Sequence, residues 1–197
     1  MSADQGANRP RADAASRPVI VLWLAGIALV AIAVSTALLV YGRVHAPNYY
    51  FSLFGRTGLD AIALKSTLAT VALALVAVQV LLALWIYQKL PAVHSSPRPV
   101  RLAHRVIGAC LFAITVPIAI HCLMAYGVQF TNLRIAIHSV AGCFFYGAFA
   151  AKVLMVHNRR LPGWALPVAG GTLAVLLGVL WYTSALYYYN GFALPGL

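Results

Sequence analysis

Five long, predominantly apolar runs, at about residues 19–41, 59–87, 102–126, 135–156 and 164–188, decide the fold class before any motif is read. Each holds at least the roughly 20 residues that a helix needs to cross the hydrocarbon core of a bilayer. A chain in lipid must satisfy its own backbone hydrogen bonds, which leaves helices or closed barrels. Barrel strands alternate apolar and polar residues; these runs do not, so barrels are excluded. Composition agrees, since 62% of the 197 residues are apolar and 9% charged, more apolar surface than a soluble domain of this size can bury. The expectation is an all-α integral membrane protein of five transmembrane helices. It forms one domain over residues 18–197, preceded by a polar tail, 1–17, that reads as disordered. The first run exceeds the roughly 7–15 apolar residues of a signal-peptide core and reads as a retained anchor.

The net charge of +11 invites comparison with nucleic-acid binders. Here the basic residues punctuate the apolar runs and form no stripe, so they read as topology signals. Arg9, Arg11 and Arg17, then Lys89, Arg98, Arg101 and Arg105, then Lys152, Arg159 and Arg160 collect on one side. Arg43, Arg56 and Arg134 lie on the other, and the tail after Tyr189 carries no charge. That bias puts the N-terminus in the cytoplasm and the C-terminus outside, across a cell's inner (plasma) membrane. Cys110, Cys122 and Cys143 all fall within apolar runs. An odd number in lipid argues against a disulfide framework, and no CxxCH haem-attachment motif is present.

Two neighbouring runs each contain a pair of histidines: His104 and His121 in the third, His138 and His157 in the fourth. Ionisable groups within membrane helices are costly and usually functional. The two runs are joined by a short connection, which predicts an antiparallel hairpin. His121 and His138 then form an outer layer, and His104 and His157 an inner one. Separations of 17 and 19 residues correspond to about 26 and 28 Å of helix, close to the two edges of a core about 30 Å thick. Paired imidazoles at one depth are what a six-coordinate haem iron needs, so the pattern points to one or two b-type haems. Helical phase opposes full symmetry: at about 100° per residue, the two histidines of each run fall about 100° away from a common face. Pro117 can shift that phase by kinking its helix.

Each of these residues also has a structural reading. His104 and His157 lie beside Arg101, Arg105, Arg159 and Arg160, where an imidazole can simply snorkel to the interface. Gly108 and Gly142, four residues after His104 and His138, make room for a flat macrocycle or for close helix packing. Arg101, Arg105 and Lys152 near the inner layer and Arg134 near the outer can neutralise haem propionates, or report topology. Lys65 and Asp60 can pair with each other, or serve a propionate or a quinone headgroup. His45 and His94 read as solvated loop residues.

The stretches HRVIGACLFAITVPIAIHC and RIAIHSVAGCFFYGAFAAKVLMVH, within residues 104–157, resemble the haem-bearing helices of cytochrome b561-like membrane proteins. They are more loosely similar to ferric reductase-type transmembrane domains. The resemblance implies bis-histidine haem b on His104, His121, His138 and His157, in a bundle formed by the last four helices. It also implies electron transfer across or within the bilayer, linked to quinone and to redox partner subunits of a larger complex. Cytochrome b561 proteins spread their ligands over four helices, whereas two helices carry all four here. The chain has no soluble nucleotide-binding domain, so it reads as an electron-transfer subunit and not as a stand-alone enzyme. Two other classes compete: a haem-free membrane anchor or assembly subunit, and a copper-handling protein using His121, Cys122, Cys143 and Met124.

Overall fold

The computed structural model describes residues 17–91, 94–158 and 161–194. The tail expected to be disordered lies, up to residue 16, outside the described residues, as do Arg159 and Arg160. Five long helices follow one another: α1 Arg17–Val44, α2 Gly58–Ile86, α3 Arg98–Ala125, α4 Leu133–His157 and α5 Ala165–Tyr189. All five are long and apolar enough to cross a membrane, and the chain is a multi-pass membrane protein. The helices alternate in direction. One face of the bundle therefore carries the start of α1 and the α2–α3 and α4–α5 connections (the N-terminal face). The other carries the α1–α2 and α3–α4 connections and the end of α5 (the loop face).

Local chemistry sets the helix ends. Asn132 caps α4, its side-chain oxygen accepting from the Ile135 N–H at 2.9 Å, one of the donors a helix start leaves unpaired. Pro97 precedes α3 and Pro99 lies in its first turn, where a missing N–H costs nothing. The same helix runs on through Pro117. At its other end Gly127 takes φ +66° and donates to the Cys122 and Leu123 carbonyls at 3.1 Å, a left-handed helix stop that favours glycine. The next N–H, of Val128, donates to the Gly42 carbonyl of α1 at 2.7 Å. A Cβ on Gly127 would stand 2.6 Å from that carbonyl oxygen. Arg43 adds a hydrogen bond to the Val128 carbonyl at 3.3 Å. The end of α1 is thus pinned to the α3–α4 connection.

Packing runs laterally in the order α1, α4, α5, α2, α3. The α1–α4 contact is the most extensive and rests on small residues: a Cβ on Gly147 would fall on Ser35 Oγ and the Ala31 carbonyl. Without a hydrophobic force between helices in lipid, such close backbone approach is what dispersion requires. The first helix is therefore a wall of the bundle and not a peripheral anchor beside the last four. Ala72, Phe145, Ala148, Leu173 and Leu177 make the apolar core where α2, α4 and α5 meet, and Trp181 Nε1 donates to Thr70 Oγ1 at 3.0 Å to tie α5 to α2.

Among the described residues, α3 and α4 make almost no close backbone contact, although they are consecutive. Aromatic side chains bridge part of the gap, with Phe112 stacked on Phe149 at 4.1 Å between centroids and edge-on to Tyr146 at 6.3 Å. The expected hairpin exists in topology, but its two arms stand apart.

Candidate functional site

Where α3 and α4 separate, a cavity of about 140 Å³ opens inside the bundle. Its walls are mainly apolar or small, from Thr115, Ile118 and Ala119 of α3, Gly142, Phe145 and Tyr146 of α4, and Leu177 and Leu180 of α5. Leu38 of α1, Ala69 and Ala72 of α2, and Val128 of the α3–α4 connection also line it. The polar groups converging on it are few: His138, Ser139, Ser184, Cys122 and Cys143. An apolar cleft with a handful of placed polar groups is the usual form of a cofactor or ligand site.

Of the four histidines, His138 is the one that lines this cavity. Its Nδ1 lies 2.9 Å from Thr183 Oγ1 on α5. Thr183 is 1% exposed and sits in a π-helical turn, Tyr182–Leu186, that interrupts α5; such turns recur at functional sites. Nothing in the aromatic run around Thr183 announces a π turn, so sequence reasoning passed it over. A buried hydroxyl pair, Thr183–Ser184, late in an apolar span was the available signal.

His121 occupies the same end of the bundle but not the cavity wall, which its neighbour Cys122 forms instead. One residue along a helix turns about 100°, and His121 faces the rings of Phe51 and Tyr126, at 6.1 and 5.8 Å between centroids. It is 2% exposed, and among the described residues both of its ring nitrogens are buried without a hydrogen bond of ordinary geometry, the Phe51 backbone lying nearby. Buried polar atoms are rarely left in that state. Lys65 of α2 neighbours both His121 and His138. Its Nζ lies 4.3 Å from the centre of the Tyr126 ring and 3.9 Å from Cys122 Sγ. The pairing with Asp60 is not formed; an aromatic face and a thiol receive the ammonium instead.

The inner layer does not assemble. His157 is exposed, and its Nδ1 lies 2.8 Å from the Val153 carbonyl of its own helix, the geometry of an interfacial residue. Among the described residues the buried Nδ1 of His104 makes no hydrogen bond of ordinary geometry, though the Gln79 backbone lies nearby, and its backbone carbonyl accepts from Gln79 Nε2 at 2.7 Å. Gly108 serves that contact: a Cβ there would stand 3.0 Å from Gln79 Nε2. It makes room for α2 and not for the cavity. Gly142 does open on the cavity, and a Cβ there would meet only Leu180, at 3.7 Å.

The expected basic residues are divided among other tasks. Arg134 donates to the Thr183 carbonyl at 2.8 Å and lies 3.7 Å over the Tyr187 ring. Arg101 bonds the Ser96 carbonyl and hydroxyl in the α2–α3 connection, and Arg105 is exposed. Lys152 neighbours His104 and lies over the backbone of Gly170. His45 is half-buried and stacked on Tyr41 at 5.3 Å, not freely solvated, whereas His94 is exposed. Cys122, Cys143 and His138 share the cavity wall, but no group of three or more His, Cys, Asp or Glu gathers at metal-binding range among the described residues.

Residues 22–196 match the family described as Family of unknown function (DUF6529). The chain belongs to that family. The match takes in all five helices but for the first turn of α1, so the bundle and its cavity are the family's own domain. No curated protein and no solved structure matches this DUF6529 chain.

Proposed function

We propose that the chain is a membrane b-type cytochrome in which His138 and His121 would hold a haem at the loop face between α3 and α4. The observation that carries this reading is an apolar cleft between two consecutive helices, lined by one imidazole and flanked by a second, buried one whose ring nitrogens make no hydrogen bond of ordinary geometry among the described residues and have only the Phe51 backbone close by. Imidazole pairs are standard haem ligands, and haem supplies one-electron chemistry while the chain supplies ligands, orientation and a low dielectric. The residues present fit such a group in donor type, in the apolar character of the wall and in the bare Gly142. The cavity of about 140 Å³ is smaller than the roughly 300–1000 Å³ of most ligand pockets. Loading therefore requires the α3–α4 seam to part further, and that seam has little close backbone contact to lose. His121 must also turn from Phe51 toward the cleft. The reading retains one haem, because His157 is turned to its own helix and His104 packs against α2.

In this reading the N-terminal face is cytoplasmic, by its excess of Lys and Arg, in a cell's inner membrane. Electrons pass between the haem and quinone or a partner subunit, and the chain acts as one component of a redox complex. The test is a dithionite-reduced minus oxidised spectrum of protein expressed with haem available, with a pyridine haemochrome ratio. Roughly one low-spin haem b per chain is expected. His138→Ala should abolish it, and His121→Ala should leave at most a five-coordinate, high-spin species. A flat wild-type spectrum removes the proposal, as does a six-coordinate spectrum that survives both substitutions.

A further inference from the structure

The surroundings of His138 specify more than its position. Three oxygens cluster at the Nδ1 side of its ring. Thr183 Oγ1 is at 2.9 Å from Nδ1, and the Val179 and Leu180 carbonyls lie 2.8 and 3.3 Å from that hydroxyl; the Leu180 carbonyl also flanks the imidazole. A threonine hydroxyl has one proton to give. The Leu180 carbonyl also receives the Ser184 hydroxyl at 2.6 Å. Thr183 Oγ1 and the Val179 carbonyl, 2.8 Å apart, need a proton between them, and only the hydroxyl has one. The hydroxyl therefore donates to the helix carbonyl, as buried Thr commonly does, and accepts from an imidazole that carries its proton on Nδ1.

Arg134 holds the acceptor in place. It precedes His138 by one helical turn, so both side chains face α5. Its guanidinium donates to the Thr183 carbonyl at 2.8 Å and lies on the Tyr187 ring. One contact falls within the π-helical turn Tyr182–Leu186 and the other on the residue that follows it. An extra residue in a helical turn costs stability unless something holds it; here a cation from the neighbouring helix spans it.

We propose that Thr183 and Arg134 are positioning residues that lock His138 as its Nδ1–H tautomer, leaving the bare Nε2 lone pair for a metal centre in the α3–α4 cavity. Histidines that bind metals typically donate their other ring N–H to such a second group, which fixes the ring and raises its basicity. The haem reading enters only in naming what Nε2 binds; the tautomer lock stands on its own geometry.

The experiment uses the full chain, labelled with ¹⁵N-histidine and reconstituted in nanodiscs without haem. Long-range ¹H–¹⁵N spectra distinguish the two tautomers, with His138→Gln giving the assignment. Wild type should be Nδ1–H at His138. Thr183→Ser, which keeps the hydroxyl, should preserve it, and Thr183→Val should shift the ring toward Nε2–H or a mixture. Arg134→Gln should lower the Nδ1–H share several-fold. An Nε2–H ring in wild type, or an unchanged tautomer in a folded Thr183→Val chain, overturns the proposal. If circular dichroism shows that Thr183→Val does not fold, the wild-type and Thr183→Ser spectra decide, since Nε2–H in either is fatal to it. In haem-loaded protein the midpoint potential should be higher in Thr183→Val than in Thr183→Ser, because a weaker imidazole donor favours the ferrous iron. A chain that binds no haem yet shows the Nδ1–H tautomer would sink the cytochrome reading and leave the positioning device standing.

Discussion

Histidine at the end of a membrane helix has two very different uses, and His157 and His138 separate them. His157 is exposed and its ring nitrogen is directed at the Val153 carbonyl one turn back, so it meets water and headgroups at no cost. Replacing it with Ala should change stability by no more than about 0.5 kcal/mol and leave any haem spectrum intact. A substantial loss of haem in His157→Ala, measured by pyridine haemochrome, would restore it as a ligand. Lys65 poses the opposite problem, a cation inside a span with an aromatic ring and a thiol for company. The ring carries the interaction in this geometry, so Tyr126→Phe should be nearly silent. Tyr126→Leu and Lys65→Met should each cost about 0.5–2 kcal/mol, read from denaturant unfolding in micelles. Equal losses in Tyr126→Phe and Tyr126→Leu would show instead that the phenol hydroxyl is the partner.

Among the elements, the α1–α4 contact has no slack. A side chain at Gly147 has nowhere to go but into Ser35 and the Ala31 backbone, so Gly147→Val should destabilise the bundle by about 1–3 kcal/mol, the usual cost of overpacking. Gly26, where an added Cβ meets nothing within 4 Å, is the control on the same packing pair. Thermal unfolding in detergent that treats the two substitutions alike would contradict the close approach. The helices themselves were legible in the sequence: the run at 135–156 became Leu133–His157 and that at 59–87 became Gly58–Ile86, because apolar length alone defines a span. Their neighbours were not. Chain order suggested that the third and fourth helices pack together, but partners in lipid are chosen by small residues and not by connection length. Gly147 and Ser35 match over a distance that no local pattern reveals. The same choice divided the histidine layers. The sequence gives depth through residue number, whereas the facing of each ring depends on which helix lies beside it. The 100° phase mismatch within each run already opposed a common face for its two histidines, and a kink at Pro117 was one way round it.

For the whole molecule, the consequence of that packing order is a chain of contacts, α1 to α4 to α5 to α2 to α3, whose two ends are tied at the loop face, where Tyr41 donates to Met124 Sδ at 3.5 Å, and both line the cavity. A bundle assembled this way can open at one seam without dismantling the rest, which is what insertion of a flat cofactor would require. The site can then be tested separately from the fold. Gly142 lines the cavity one turn beyond His138, and a Cβ there meets nothing closer than Leu180 at 3.7 Å. Gly142→Ala should therefore be tolerated, and removing a helix-interior glycine should even favour the helix by about 0.5–1 kcal/mol. Gly142→Phe would instead project a ring into a space of about 140 Å³. The helices should still form, with circular dichroism and expression near wild type, while bound haem per chain falls severalfold. Loss of haem with loss of folding would point to ordinary overpacking, which a melting curve in detergent would reveal. Full haem content in a folded Gly142→Phe chain would mean that the cofactor, if bound, lies somewhere other than between α3 and α4.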